Sequence, residues 1–298
     1  MAAVSPTQAV NAIPLPPVRT RRRALVRFVQ RNPLATAGAV VLLLMVLGSV
    51  FAAQLSPYNP TAINVRAKLA PPSAAHLFGT DFFGRDLLSR ILYGGRNTLA
   101  IAALVIAFSF ALGVPLGLVS GFVGRWVDTV IMRLVDAWLA FPTLVLAIAL
   151  AAALGPGLRN AMLAIGITFI PQFARVARGQ ALSIRSLPYI EAARATGVSQ
   201  GGMLWRYVLP NSLGPLIVQA TLNLGSAILQ TASLGFLGLG TQPPLSEWGA
   251  DVAANTAYLR EAPWAAIAPG LAILIAVLAC NIVGDAVVDW LNPRLRQR

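Results

Sequence analysis

Charged residues along this chain fall in clusters, and the stretches between the clusters are apolar. Six runs carry no Asp, Glu, Lys or Arg: Asn32–Val65, Asn97–Gly124, Ala137–Leu158, Asn160–Ala174, Tyr207–Ser246 and Ala262–Gly284. About 20 apolar residues in a helix cross the hydrocarbon core of a bilayer, and five of the runs meet that length directly. The fourth stops after 15 residues, at Arg175. It spans if Arg175 and Arg178 extend their aliphatic stems and hold their guanidinium groups at the interface. The fifth run is long enough for one span with flanking loops. The pattern therefore predicts an all-α integral membrane protein with helices near 34–54, 97–121, 130–154, 160–184, 212–237 and 264–290. Pro115, Pro142, Pro171 and Pro269 fall inside them, where neighbouring helices can re-satisfy the freed backbone groups.

Composition fits that picture. Of 298 residues, 57% are hydrophobic and only 11% charged, against about 25% charged in soluble domains. The net charge of +13 does not point to nucleic acid, because the arginines sit between apolar runs. Their partners are the bilayer and its anionic headgroups. Arg19, Arg21, Arg22, Arg23, Arg27 and Arg31 precede the first span and place that tail in the cytoplasm by the positive-inside rule. Six crossings return Arg294, Arg296 and Arg298 to the same side, so both termini are expected in the cytoplasm. The count of Arg and Lys is then 16 inside and 7 outside. Arg66, Lys68, Arg85, Arg90 and Arg96 run against this rule in the first external segment.

The first apolar stretch is longer than a signal-peptide core and reads as an uncleaved anchor. The resulting division is a basic tail 1–31, a first span 32–56, an external segment 57–96 with an amphipathic helix, a five-helix core 97–293 with a cytoplasmic loop 185–211, and a tail 294–298. The amphipathic helix is expected to carry an Asp86–Arg90 pair four residues apart. His76 has no expected role.

Chemistry is constrained by what is scarce. Cys280 is the only cysteine and His76 the only histidine, so no disulfide forms within the chain and no Cys/His catalytic or zinc cluster can be built. There is no GxxxxGK[ST] phosphate loop. The chain is read as a non-catalytic subunit with no metal and no cofactor, whose energy source lies on other chains. A membrane-embedded enzyme lacks the catalytic cluster it needs. A stand-alone ion-driven transporter lacks deep intramembrane carboxylates or an internal repeat.

The loop between spans four and five, Leu187–Asn211, reads LPYIEAARATGVSQGGMLWRYVLPN. A helix starts after Pro188 and presents Glu191, Ala192 and Ala193. Gly197 ends it in a left-handed conformation. Ser199 caps a second helix, which Pro210 closes at the membrane surface. Such a hairpin could be an amphipathic connector or a docking element. Glu191, Ala192, Ala193, Gly197, Leu209 and Pro210 resemble, at the same spacing, the EAA loop of ABC importer permeases. Tyr207 stands where that family often has Ile.

His76–Leu99, Leu234–Gly249 and Asn281–Leu295 resemble the corresponding segments of the C-type subunit of dipeptide, oligopeptide and related importers. Val288 and Asn292 depart from the Arg and Asp common there. The resemblance implies the permease fold and a bacterial inner-membrane location. It implies a second permease subunit, two cytoplasmic ABC ATPase subunits docked on the EAA loop, and an external or periplasmic substrate-binding protein. Contact with that binding protein is implied for Gln242, Pro243, Pro244, Glu247 and Trp248. Transport would proceed by alternating access, with a di- or oligopeptide as substrate, or glutathione or a nickel complex as the alternative.

Span five carries Gln219, Asn223, Ser226, Gln230 and Ser233 in steps of four, three, four and three, hence on one helical face. Either the stripe lines a translocation path, or it holds helices together through bonds worth roughly 0.6–2 kcal/mol each. Taken as a whole it is read as path. Asn281, Asp285 and Asp289 share another face, and their expected partners are Arg175, Arg178 or the basic tail. Asp128, Arg133 and Asp136 read as interfacial ion pairs.

Overall fold

The computed structural model describes residues 32–291, and the basic tails 1–31 and 294–298, with Asn292, lie outside them. Within that range the protein is helical. Helix α1 (Pro33–Val50) continues after one residue as α2 (Ala52–Leu55). Then follow α3 (Leu87–Val123), α4 (Arg125–Leu139), α5 (Thr143–Leu154), α6 (Leu158–Arg185), α7 (Pro188–Ala195), α8 (Gln200–Met203), a π-helical turn (Leu204–Val208), α9 (Leu209–Phe236), α10 (Trp248–Asn255) and α11 (Pro263–Leu291). Five helices are long and apolar enough to cross a membrane, and six crossings result if the bent pair α4–α5 counts as one.

Close packing comes from small residues. Gly113, Gly117 and Gly121 recur every fourth position on α3, and a Cβ on any of them would run into the backbone carbonyl of Ile170, Ala174 or Arg178 on α6. Ala174, Ala177 and Ala181 face them, fully buried. In lipid, where burial drives helices together only weakly, such stripes let backbones approach closely. Phe169 and Phe173 fill the same interface.

Four expectations need correction. The third span is not one straight helix over 130–154, because α4 and α5 meet at 90° across Ala140–Pro142. Pro142 disfavours helical backbone at Phe141, and with ψ 125° it stands as the N-cap of α5 instead of continuing α4. Residues 87–96 are not a separate amphipathic helix on the membrane surface. They are the first turns of α3, with Leu87 fully buried.

Pro210 does not close the second loop helix. It sits at the start of α9, and the chain is helical from Gln200 to Phe236. The π turn accounts for this. Leu209 donates to the Leu204 carbonyl, five residues back, and this widened turn accommodates a proline that lacks the N–H and crowds the preceding turn.

Arg175 and Arg178 are not partners of Asp285 and Asp289. Arg178 holds Asp128 through Nε and Nη2 at 2.5 and 2.6 Å, and Arg175 Nη2 holds Asp136 at 2.6 Å. Asp128 and Asp136 thus form ion pairs on the side of α4 that faces α6, whereas Arg133 joins none of the ion pairs among the described residues.

Candidate functional site

Two sites lie at opposite ends of the bundle. At one end, α7, Gly197 and α8 form the hairpin. Ile190 and Ala193 point inward and are buried, as are Met203, Leu204 and Val208. Glu191, Ala192, Gly197 and Pro210 are exposed, and Leu209 is half-buried. Gly197 has φ +81° and Ser199 Oγ accepts from Gly202 N at 3.2 Å, so the turn and the cap are as read. Of the sequence motif, then, Ala193 anchors the hairpin while its neighbours present it. Of the apolar residues the sequence puts on the second loop helix, Met203, Leu204, Trp205 and Val208, only Trp205 is exposed beside them. The second limb of the hairpin is helical without a break into α9, which bears the polar stripe.

That stripe does not behave as one surface. Ser226 is exposed, Gln219 and Ser233 are half-buried, and Asn223 and Gln230 are buried within the chain. Gln219 Nε2 donates to Asn223 Oδ1 at 3.0 Å. Among the described residues, Asn223 Nδ2 and Gln230 Oε1 have no hydrogen-bond partner, a state that costs free energy unless water or another chain supplies one.

At the opposite end, the loop after α9 divides into a tip and a base. Gln242, Pro243 and Pro244 are exposed. Glu247 and Trp248 are each 1% exposed, which removes them as surface contacts for a partner. They fasten the loop to α3. Trp248 Nε1 donates to the Ile91 carbonyl at 2.9 Å, with its ring over Gly94 and Gly95. Glu247 caps α10, accepting from Gly249 N and Ala250 N at 2.9 Å each, and from Thr98 Oγ1 at 3.1 Å. The bond Asn97 Nδ2 to Ser246 O, 2.6 Å, adds a fourth link.

Below this clamp is a buried ionic network that sequence reasoning missed. Arg90, 3% exposed, donates through Nε and Nη2 to Asp251 Oδ1 and through Nη1 to the Pro60 carbonyl at 3.0 Å. Asp81, fully buried, takes Arg85 Nε at 2.6 Å and lies 3.8 Å from Arg90. Asp86 caps α3 by accepting from Ser89 N and Oγ, and its other oxygen meets His76 Nδ1 at 2.9 Å. The Asp86–Arg90 pair is therefore absent, and His76 ties the segment 57–86 to the start of α3.

Burial pushes the Glu247 carboxyl up to about 7, against the pull of its three donors. Burial likewise pushes Asp251 up to about 6, outweighing Arg90. A carboxyl that holds its proton more tightly when folded makes the fold more stable at low pH. That contribution declines as pH rises from about 4.5 to about 7 for Glu247. The melting temperature of the purified protein is expected to fall between pH 5 and pH 8, and Glu247→Gln to flatten the dependence. A melting temperature that rises over that interval would contradict the assignment.

Comparison with known proteins gives a consistent picture. Residues 113–297 match the family described as "Binding-protein-dependent transport system inner membrane component", and residues 21–72 match "N-terminal TM domain of oligopeptide transport permease C". A protein of Escherichia coli (strain K12) named "Probable D,D-dipeptide transport system permease protein DdpC" is 47% identical over 91% of each chain. The dipeptide transport system permease protein DppC of Alkalihalophilus pseudofirmus is 42% identical over 90% of this chain and 88% of its own. The glutathione transport system permease protein GsiD of Pectobacterium atrosepticum is 40% identical over 94% and 93%. In fold, the chain is similar to the inward-facing MetNI methionine ABC transporter, with TM-score 0.53 and 21% identity over 67% of this chain and 94% of that one.

Proposed function

The chain belongs to the binding-protein-dependent transport system inner membrane components as a permease subunit of an ABC importer, and from that premise we propose that it moves di- or oligopeptides by alternating access. The observation that carries the mechanism is the hairpin 188–210, anchored by Ile190 and Ala193 and continuous with α9. Glu191, Ala192, Gly197, Leu209 and Pro210 meet an ATPase subunit, with Ala193 supporting them from beneath. ATP hydrolysis takes place on two such subunits, and closure of that pair moves the hairpin and rotates α9. A second permease completes the path. A substrate-binding protein delivers peptide to the far side, meeting Gln242, Pro243 and Pro244 at the loop tip. Both termini are cytoplasmic.

The peptide reading rests on the DdpC and DppC relatives, with glutathione as the second reading on the GsiD relative. Uptake of a labelled dipeptide by cells expressing the chain with its partner subunits tests it. Excess unlabelled dipeptide is expected to compete and glutathione is not. The opposite order would transfer the assignment to glutathione.

Within the path, Ser226, Ser233 and Gln219 form the exposed edge, and Asn223 and Gln230 stand behind it. In a Cys280→Ser background, cysteines at Ser226 and Ser233 are expected to react with water-soluble thiol reagents at least about tenfold faster than cysteines at Asn223 and Gln230, a difference of about 1.4 kcal/mol in the barrier. Trapping the ATPases in their ATP-bound state is expected to change the first pair more. Equal protection of all four in both states would make the stripe packing alone.

A further inference from the structure

On the same face as the hairpin, a cavity of about 700 Å³ opens between the end of α3, the start of α4, the end of α6 and the hairpin. Arg125, Arg185 and Arg194 line it together with Gln200, and no carboxylate does. Six ion pairs are formed among the described residues, and none involves any of these three arginines. Arg185 donates only to the Gly121 carbonyl, at 3.1 Å. The nearby Asp128 is occupied by Arg178 and by Ser120 Oγ at 2.5 Å. Asp128 also lies within electrostatic reach of Arg185, but it is one carboxylate shared with Arg178. Three cations lining one space repel one another unless a further anion joins them.

The backbone adds to the same potential. Helix α4 begins at the cavity rim with no side-chain cap, and its first residues, Arg125, Trp126 and Val127, line the wall. The positive end of its dipole lies at this rim, offset in part by Asp128 in the first turn. Arg125 itself has φ +53°, an uncommon conformation for a residue with a side chain.

A second feature identifies the anion's bearer. From the cavity rim, Trp126, Val130 and Leu134 follow one another at four-residue steps along α4, 74%, 49% and 65% exposed. The polar side of the same helix is turned inward to Arg175 and Arg178. An apolar edge that starts at a cationic cavity, on a helix bent 90° away from the apolar α5, is the arrangement of an interfacial helix. A soluble anion has no use for that edge, whereas an acyl chain does.

We propose that the Arg125–Arg185–Arg194 cavity binds the phosphate-bearing headgroup of an anionic phospholipid, with an acyl chain lying along Trp126, Val130 and Leu134. Basic recesses between membrane helices hold such headgroups. Because the cavity is built partly from the hairpin residue Arg194 and from Gln200, an occupied site ties the hairpin to the membrane surface.

The test is retention of lipid by the purified transporter complex in mild detergent, after incubation with phosphatidylglycerol and phosphatidylcholine at equal concentration, read by native mass spectrometry. The unaltered complex is expected to retain phosphatidylglycerol roughly tenfold over phosphatidylcholine. The triple variant Arg125→Gln, Arg185→Gln, Arg194→Gln is expected to lose that preference, and Arg133→Gln, on α4 but off the cavity, to keep it. Equal retention of the two lipids by the unaltered complex would overturn the proposal without reference to any variant. So would full displacement of phosphatidylglycerol by inorganic phosphate, which would mark a site for a free anion. Loss of ATPase association in the triple variant, with the lipid preference intact, would assign the cavity to an acidic group of the ATPase and also overturn it.

Discussion

Arg90→Ala is expected to destabilise the assembled permease by about 3–5 kcal/mol, because it strands the buried Asp251 carboxylate. Asp251 is 2% exposed, and both Arg90 contacts to it fall on Oδ1, while Oδ2 has no partner. The guanidinium also holds the Pro60 carbonyl and stands 3.8 Å from Asp81, so its removal loosens the segment 57–86 as well as α10. Asp251→Ala alone is milder, since Arg90 keeps Asp81 and Pro60. Replacing both partners with leucine is milder than Arg90→Ala, because no uncompensated charge stays buried. The measurement is thermal unfolding of the detergent-purified complex for the two single variants and the pair. If Arg90→Ala melts with the unaltered protein, the network contributes nothing to the fold and the ion pair is incidental.

The parts of this protein that were legible in its sequence are those set by a local rule. Lipid imposes one directly: each span must satisfy its own backbone, so apolar length between charges located the helices. Gly197 and Ser199 were legible because a left-handed turn and an N-cap each depend on one residue's own chemistry. The failures have a common origin in longer reach. Arg90 and Asp251 are separated by 161 positions, and Trp248 reaches Ile91 across 157, so nothing near either partner announces the contact. Glu247 was expected at a contact with a binding protein, yet it caps α10 and accepts from Thr98. Pro210 looked like a terminator, which it would be in a strict α-helix, but the π turn before it changes the register. The bend at 140–142 had a signal that was read otherwise. Asp128, Arg133 and Asp136 all fall within the 15 residues of α4, so that stretch carries more charge than the apolar α5 after it.

Gly197→Val is expected to lower substrate-stimulated ATP hydrolysis by at least about tenfold, while the chain still assembles with its partner permease. The residue turns the chain between α7 and α8 at φ +81°, and a Cβ there meets no atom of this chain within 4 Å. The cost is therefore backbone strain, about 1–2 kcal/mol for a side-chain-bearing residue and more for a β-branched one. It falls on a hairpin held by few buried side chains, Ile190 and Ala193 among them. The cheapest relief is a shift of the hairpin, which displaces Glu191 and Ala192 from their docking geometry and leaves the bundle intact. About 1.4 kcal/mol lost from the coupled state is a factor of ten.

Gly197→Asn separates the two ways this position can matter, because asparagine tolerates left-handed backbone but carries a side chain. If the turn's shape is what counts, Asn recovers most of the coupling. If the open space at Gly197 is where the ATPase sits, Asn fails along with Val. Full coupling in Gly197→Val, with normal ATPase association, would remove the hairpin from the docking role. It would leave α9's continuity with that hairpin without a mechanical purpose.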